Sequence, residues 1–264
     1  MKKVKILVYL STVTEVPYRK ANSQEAGIFL NELVKPLMPL YEAGHQIDFI
    51  SRHGKTSAIV DKASFNLICW RFSKKQREKS LDFLEKLYEL GMLNPMKVSR
   101  VLKNQQLLSS YDVLFIPGGQ TSITDVLYKN WSKNFLYNKK TGELLLHFHQ
   151  NNKITATIGH GSATLAAAPS IEGRWIYSGY KMTCVSMLAQ RLVEDVSFFN
   201  SGGHMYDYPI PILRRRGGIV QNLLLGKSLV IEDRELITGQ DSTSADELGR
   251  KLKNKIDKYL SGKV

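Results

Sequence analysis

Cysteine is scarce in this chain: only Cys69 and Cys184 occur among its 264 residues. They lie far apart and in no metal-ligand spacing, which argues against a disulfide framework and against a zinc module. Long apolar runs are also missing, because no window approaches the roughly 18 apolar residues of a membrane-spanning helix. The apolar run near the start is short and is interrupted by Lys5, so it indicates a first β-strand rather than a secretory signal. We therefore expect a soluble, cytoplasmic protein.

Acidic residues are fewer than basic ones: the chain has 24 Asp and Glu residues and 37 Lys and Arg residues, which gives a net charge of +13. The basic residues are scattered over segments 74–79, 129–140, 214–216 and the last helix. A nucleic-acid-binding protein is expected to combine such charge with a reading module or aromatic platforms, and the sequence shows neither. The charge pattern therefore indicates solvated helix faces and predicts no nucleic-acid partner.

Strand-like and helix-like patterns alternate along the chain. Residues 4–11 and 45–51 read as strands, and residues 24–44 carry apolar positions at helical spacing. Pro36 is expected to kink this helix and Gly44 to end it. Further elements are predicted as strands at 111–116, 154–158 and 181–186, apolar segments at 217–222 and 227–239, and a terminal helix from Ser244 to about Tyr259. The alternation predicts an α/β fold: a three-layer sandwich with a mainly parallel, flavodoxin-like sheet.

Residues 55–110 interrupt this alternation with two helical patterns. We interpret them as a helical insertion within a single domain that spans residues 1–264. A helical stretch after the 111–116 strand is expected to break at 138–143, where Gly142 and polar residues interrupt the apolar spacing.

Two glycine-rich turns follow predicted strands, IPGGQTS after 111–116 and IGHGSAT after 154–158. Ligands of open α/β sheets bind beyond the carboxyl ends of the strands, where glycine turns can expose backbone N–H groups. A strand, a sharp turn and a helix usually present a nucleophile at the tip of the turn, but here the tip carries Gly159. We predict binding residues in these turns, namely Gly118, Gly119, Gly159, Gly161 and Ser162.

Three segments together resemble the ThiJ/PfpI superfamily, whose fold is class I glutamine amidotransferase-like: YDVLFIPGGQ (111–120), IGHGSATL (158–165) and LITGQDSTSA (236–245). The stretch GIFLNELVKPLMPLYEAGHQIDFISRHGK (27–55) is similar to the branch of heat-shock-induced glyoxalase III enzymes and holdase chaperones. The resemblance covers nearly the whole chain, although the 55–110 insertion matches that branch only in position.

The resemblance implies a site made of an elbow cysteine, a histidine directly after it and a glutamate from the first helix. The cysteine position falls on Gly159 and the histidine on His160. The glutamate position falls on Glu32, which Pro36 follows after four residues, with Glu25 as a competitor of poorer spacing. Two further departures are Gln190, where the branch often has an acidic residue, and Asp241-Ser242 in place of Asn-Pro.

Glycine cannot form the hemithioacetal on which cofactor-free conversion of a 2-oxoaldehyde depends, so covalent catalysis is expected to be lost. The resulting hypothesis is a pseudoenzyme whose vacant cleft, with His160 and Glu32, binds a small carbonyl or carboxylate compound or a partner protein. Two alternatives stay open: a residual or altered 2-oxoaldehyde (methylglyoxal) lyase or deglycase, and a holdase-type stress chaperone for misfolded clients. The branch also implies a homodimer. No cofactor and no metal are predicted.

Other residues could replace the missing thiol. Ser162 lies at the start of the elbow helix, where serine commonly caps or packs, and Cys184 lies in the predicted strand 181–186, where it is expected to be buried. His147 and His149 form a possible metal pair, but no third ligand is evident.

Overall fold

The structure, a computed structural model, describes residues 3–19, 23–54, 58–129, 135–195 and 203–262. The strands of its main sheet, numbered in chain order, are β1 (Lys5–Leu10), β2 (Gln46–Ser51), β3 (Met96–Lys97), β4 (Val113–Ile116), β5 (Ile154–Ile158), β6 (Val230–Asp233) and β7 (Leu236–Gly239). The strand order is β6-β7-β5-β4-β1-β2-β3. Neighbouring strands are parallel except in the antiparallel β6–β7 hairpin.

The α-helices are α1 (Leu30–Glu42), α2 (Lys74–Leu87), α3 (Val98–Lys103), α4 (Gln105–Ser109), α5 (Lys139–Gln150), α6 (Met187–Asp195), α7 (Pro209–Arg215) and α8 (Ala245–Leu260). Shorter helical segments cover Lys62–Phe65, Leu67–Trp70, Tyr88–Met92, Ser122–Leu127, Gly159–Ala167 and Ser242–Ser244. Two-residue strands pair outside the main sheet: Glu15–Val16 with Gln24–Glu25, Tyr18–Arg19 with His204–Met205, Ser170–Ile171 with Arg174–Trp175, and Lys181–Met182 with Ile219–Val220.

Both faces of the central strands are apolar, as expected for a parallel sheet that helices cover on both sides. Along β1, Ile6 and Val8 belong to the core cluster that includes residues of α1, α2 and α8. Leu7 and Tyr9 belong to the opposite cluster, which includes residues of α3, α4 and α5. The strand period of two thus divides the core into two apolar layers. The predicted α/β sandwich with a mainly parallel sheet is confirmed.

Two of the predicted elements differ from the structure. The insertion is not purely helical, because β3 pairs with β2 and adds an edge strand to the main sheet. The predicted break at 138–143 is wrong, since α5 runs without interruption from Lys139 to Gln150. Gly142 is accommodated in α5 because the helix packs closely on the Ala167 carbonyl oxygen, 2.4 Å from where a Cβ on residue 142 would lie. Tertiary packing here outweighs the low helix propensity of glycine.

The topology places a ligand-binding edge at the centre of the sheet. From β1 the chain proceeds to β2 and β3 on one side and then returns to β4 on the other side of β1. This reversal creates a switch point between the carboxyl ends of β1 and β4, where open α/β sheets bind ligands. The turns after β4 and the neighbouring β5 contain the predicted site glycines. Within the ranges that the structure describes, no helix has the length and apolar character needed to cross a bilayer.

Candidate active site

The start of α1 is docked directly onto the turn that follows β4. The Phe29 backbone N–H donates to the Gly118 carbonyl oxygen over 3.2 Å. Gly119 has φ +117°, and a Cβ on it would lie only 2.2 Å from the Gly27 carbonyl oxygen. Only glycine permits so close an approach of two backbones. Because Glu32 lies in the first turn of α1, this docking brings its side chain to the carboxyl ends of the strands.

The Glu32 carboxyl group lies between the two glycine turns. Its Oε2 atom is 1.6 Å from where a Cβ on Gly118 would lie and 2.4 Å from where a Cβ on Gly159 would lie. The Glu32 carboxyl therefore takes up part of the space beside residue 159, and the vacant cleft at the elbow stays a prediction. The absent side chains of both glycines make room for the carboxyl.

The environment of Glu32 favours its protonated form. The residue is 6 % exposed, and burial raises its pKa to about 8, with the nearby Asp241 carboxylate adding to the rise. A hydrogen bond from the Ser242 backbone N–H opposes these effects without cancelling them. Oε2 has no hydrogen-bond partner among the described residues. At neutral pH Glu32 is thus chiefly a carboxylic acid that can donate a proton in a hydrogen bond.

The elbow itself has the backbone geometry expected of a nucleophile turn. After β5 the chain turns at Gly159 with φ +56° and enters the 3-10 helix Gly159–Ala167. A left-handed conformation of this kind costs a residue with a Cβ about 1 kcal/mol, and glycine adopts it freely. Gly161 packs against the end of β4, where the Pro117 carbonyl oxygen lies 2.5 Å from the position of a Cβ on Gly161.

His160 is held by a side chain from α6. Its Nε2 lies 2.7 Å from the Gln190 Oε1, and the Gln190 Nε2 donates in turn to the Glu194 Oε1 over 2.9 Å. Burial lowers the pKa of His160 to about 4, although the hydrogen bond with Gln190 and the Glu194 carboxylate oppose that shift. His160 is therefore neutral at physiological pH. The site offers a neutral acid and a neutral imidazole.

Neither candidate replacement for the thiol is suited to that role. The Ser162 hydroxyl is fully buried and forms a 2.8 Å hydrogen bond with the Thr157 hydroxyl. Cys184 is fully buried in the core cluster of α3, α4 and α5, and burial raises the pKa of its thiol strongly. It lies beyond the two-residue strand Lys181–Met182, so its predicted placement within a strand is wrong. Both residues pack the fold instead of offering a reactive atom.

The histidine pair of α5 serves separate contacts. The His149 Nδ1 lies 2.7 Å from the Glu235 Oε1, which also accepts from the Tyr180 hydroxyl. In the described part of the chain, the His147 Nε2 is buried without a hydrogen-bond partner. Across the residues that can be described, no group of three or more His, Cys, Asp or Glu side chains could hold a metal ion.

Sequence reasoning missed two contributors to the site. The Ser242 backbone binds Glu32, but a main-chain donor leaves no sequence signal of its own. Glu194 supports Gln190, and here a signal existed, because an amide and a carboxylate four residues apart lie on one face of a helix. The sequence identifies Gln190 only as a departure from the family pattern.

A family profile and the curated relatives of this chain agree on one family. Residues 24–191 match a protein-family profile described as ThiJ/PfpI family-like. The chain is 24% identical over 249 residues to the protein/nucleic acid deglycase HchA of Escherichia coli, with 94% of this chain and 79% of the relative covered. It is 25% identical over 234 residues to the protein of the same name from Staphylococcus aureus, with 88% and 73% covered.

The fold is also shared with solved structures. The crystal structure of glyoxalase III from Candida albicans superposes with a TM-score of 0.73 at 16% identity, and covers 95% of this chain and 96% of that chain. The rapid encystment protein of 24 kDa from Francisella tularensis gives a TM-score of 0.72 at 20% identity, with 96% and 98% covered. At these identities the likeness establishes the fold.

Proposed function

Because this chain belongs to the ThiJ/PfpI family-like group, we propose that it is a member that lacks cysteine-dependent catalysis and binds a small carbonyl compound beside Glu32 and His160. One observation carries the proposal. Where the elbow would present a nucleophile, Gly159 has no side chain, and the protonated Glu32 carboxyl lies against it. The polar groups of the site are in place, but the atom that would form a covalent bond is missing.

The missing atom decides the chemistry. In a thiol-dependent route, a thiolate adds to the aldehyde carbon of a 2-oxoaldehyde, and the carbonyl oxygen takes a proton from a neighbouring acid to become the hydroxyl of the hemithioacetal. The two cysteines of this chain offer no such thiolate near neutral pH. Burial raises the pKa of the Cys184 thiol, and burial together with Asp61 and Glu32 raises that of Cys69. Covalent turnover by the unmodified chain is therefore not expected.

Binding of a carbonyl compound does not require a thiolate. A protonated Glu32 can donate to a carbonyl oxygen, and a neutral His160 can accept a hydrogen bond from the same compound or its hydrate. Neither group brings a charge that would favour an ionised ligand. The printed names of the relatives, deglycase and glyoxalase III, support a carbonyl compound as the ligand class.

The test is a methylglyoxal-to-lactate assay on the unmodified chain, Gly159→Cys and Gly159→Ala. The alanine variant is the matched control, because it adds a Cβ at the elbow without a sulfur. We expect turnover only in Gly159→Cys, and saturable binding of methylglyoxal, followed by His160 NMR shifts, in the unmodified chain. Turnover by the unmodified chain would refute the loss of catalysis. Absence of any binding would refute the proposed ligand class.

A holdase-type chaperone is a second candidate because of one surface feature. Leu223, Leu224 and Leu225 are consecutive and are 47 %, 76 % and 40 % exposed. The side chain of Gln240 holds this segment through the backbone of Leu223. If the leucines bind unfolded clients, Leu224→Ser should weaken suppression of client aggregation while Glu32→Gln leaves it intact. A similarly basic protein without such a patch serves as the control. The homodimer that the family resemblance implies stays a prediction.

A further inference from the structure

Gln190 and Glu194 stand one helical turn apart on α6 and extend the contacts of His160 away from the elbow. The Gln190 amide connects the imidazole to the Glu194 carboxylate through two hydrogen bonds of 2.7 and 2.9 Å. Glu194 is buried, and its side chain is fully shielded from solvent. Burial of an ionised carboxylate costs free energy unless hydrogen bonds satisfy its oxygens. The other contacts of Glu194 therefore decide whether it is ionised.

Three other residues, from the strand His204–Met205 and from the segment before α7, contact the Glu194 carboxylate. The Met205 backbone N–H donates to Oε1 over 3.1 Å, and the Tyr208 hydroxyl donates to Oε2 over 2.8 Å. The His204 Nδ1 lies 2.9 Å from the same Oε2. Burial alone would raise the pKa of Glu194, but these hydrogen bonds together with that from Gln190 lower it below the ordinary value. Glu194 is therefore an ionised acceptor at neutral pH.

An ionised carboxylate fixes the orientation of the amide next to it. A carboxylate only accepts hydrogen bonds, so the NH2 group of Gln190 must face Glu194 and its carbonyl oxygen must face His160. That oxygen also only accepts, so the His160 Nε2 must carry the proton. Because the ring is neutral, its Nδ1 is then an unprotonated acceptor.

We propose that Glu194 is the positioning residue of this site: acting through the Gln190 amide, it locks His160 as the Nε2–H tautomer and leaves Nδ1 to accept from the ligand. A carboxylate in direct contact with His160 would stabilise the charged imidazolium. The Gln190 amide, placed between His160 and Glu194, fixes which ring nitrogen carries the proton and leaves the ring neutral. The site then has one donor, the Glu32 acid, and one acceptor, the His160 Nδ1.

The ligand consequence rests on the proposed function. A carbonyl compound that also carries a hydroxyl, either as a 2-hydroxy group or as a hydrate, can accept from Glu32 and donate to His160. A carbonyl compound without a donor group satisfies only one of them. Hydroxyacetone should therefore bind more tightly than acetone, by about tenfold for one additional hydrogen bond.

The tautomer is tested by nitrogen NMR of histidine-labelled full-length protein. We expect the unmodified chain to show a protonated Nε2 and an unprotonated Nδ1 for His160. Glu194→Gln keeps the shape but lets the Gln190 amide turn over, so a substantial Nδ1–H population should appear, and hydroxyacetone should lose about tenfold in affinity while acetone changes little. Tyr208→Phe removes one donor to Glu194 but keeps the carboxylate, so the Nε2–H form should persist.

A second variant keeps the test decisive if Glu194→Gln folds poorly. Gln190→Glu places a carboxylate directly at His160, so the ring should titrate at higher pH than in the unmodified chain, and an unchanged titration would contradict the contact of residue 190 with His160. A protonated Nδ1 in the unmodified chain, or an unchanged tautomer in folded Glu194→Gln, would overturn the positioning role. These readings do not depend on a ligand, so failure of carbonyl binding alone would count against the proposed function and leave the tautomer result standing.

Discussion

The Glu32 carboxyl lies so close to Gly159 that a side chain at residue 159 would require this carboxyl to move. A Cβ on Gly159 would be 2.4 Å from the Glu32 Oε2 and 3.0 Å from its Cδ. The residue that the family resemblance assigns to catalysis thus occupies the space left by the absent nucleophile. Stability and ligand binding at the elbow are coupled through this contact.

Gly159→Ala should lower the free energy of unfolding by about 1–3 kcal/mol, because a Cβ is strained at φ +56° and also displaces Glu32. In a Glu32→Ala background, only the backbone strain of about 1 kcal/mol should remain. The double-mutant cycle is measured by urea denaturation of the unmodified chain, the two single variants and the double variant. Equal losses in both backgrounds would show that the contact carries no energy.

The raised pKa of Glu32 makes stability depend on pH. The unfolded chain ionises this group near its ordinary value of 4.5, whereas the folded chain retains the proton up to about pH 8. Between these values the folded state binds the extra proton, so stability falls as pH rises. Between the two pKa values, the free energy of unfolding falls by about 1.4 kcal/mol per pH unit because of this group.

Glu32→Gln removes this titration and should therefore gain stability over the unmodified chain as pH rises from 5 to 8. The measurement is urea denaturation of both proteins at each pH, since other titrating groups contribute equally to both. Parallel curves for the two proteins would mean that Glu32 ionises normally in the folded state.

The fold was largely predictable because its signals are local. The apolar run at 4–11 became β1, Gly44 ends α1 with φ +76°, and the turn at Gly159 follows β5. Each depends on side-chain period or on a backbone angle that glycine favours. The uninterrupted course of α5 was not predicted, because the close packing that explains a glycine at position 142 involves Ala167, which is distant in sequence.

Sequence reasoning could name candidate site residues but could not predict their protonation states. Glu32 and His160 were located through resemblance to a motif, but their protonation states depend on burial and on distant partners such as Asp241 and Gln190. Likewise, the occupied space beside Gly159 follows from the docking of α1 onto the turn after β4. A contact between two elements that are distant in sequence cannot be predicted from the spacing of residues within a motif.

The two thiols should differ in reactivity in the folded protein. Cys184 has no exposed surface, whereas Cys69 is partly exposed, so a thiol reagent should label Cys69 first and Cys184 only on unfolding. Cys184→Ala should cost about 1 kcal/mol through lost packing. It should leave turnover by Gly159→Cys unchanged. Labelling of Cys184 at the rate of Cys69 in native conditions would contradict its place in the core.

Gly119→Ala tests whether the close approach of α1 to the turn after β4 creates the Glu32 environment. Gly173 is the matched control, because it also has a positive φ, at +77°, yet nothing lies within 4 Å of where its Cβ would be. We expect Gly173→Ala to cost about 1 kcal/mol from backbone strain alone. Gly119→Ala should cost at least about 2 kcal/mol more, since a Cβ there meets the Gly27 backbone and overpacking forces that backbone to move. The same movement should expose Glu32 and return its pKa toward 4.5, which carbon NMR of the side-chain carboxyl can follow across a pH titration. Equal losses of stability in the two variants, with the Glu32 titration unchanged, would show that the approach of the two backbones does not set the acidity of the site.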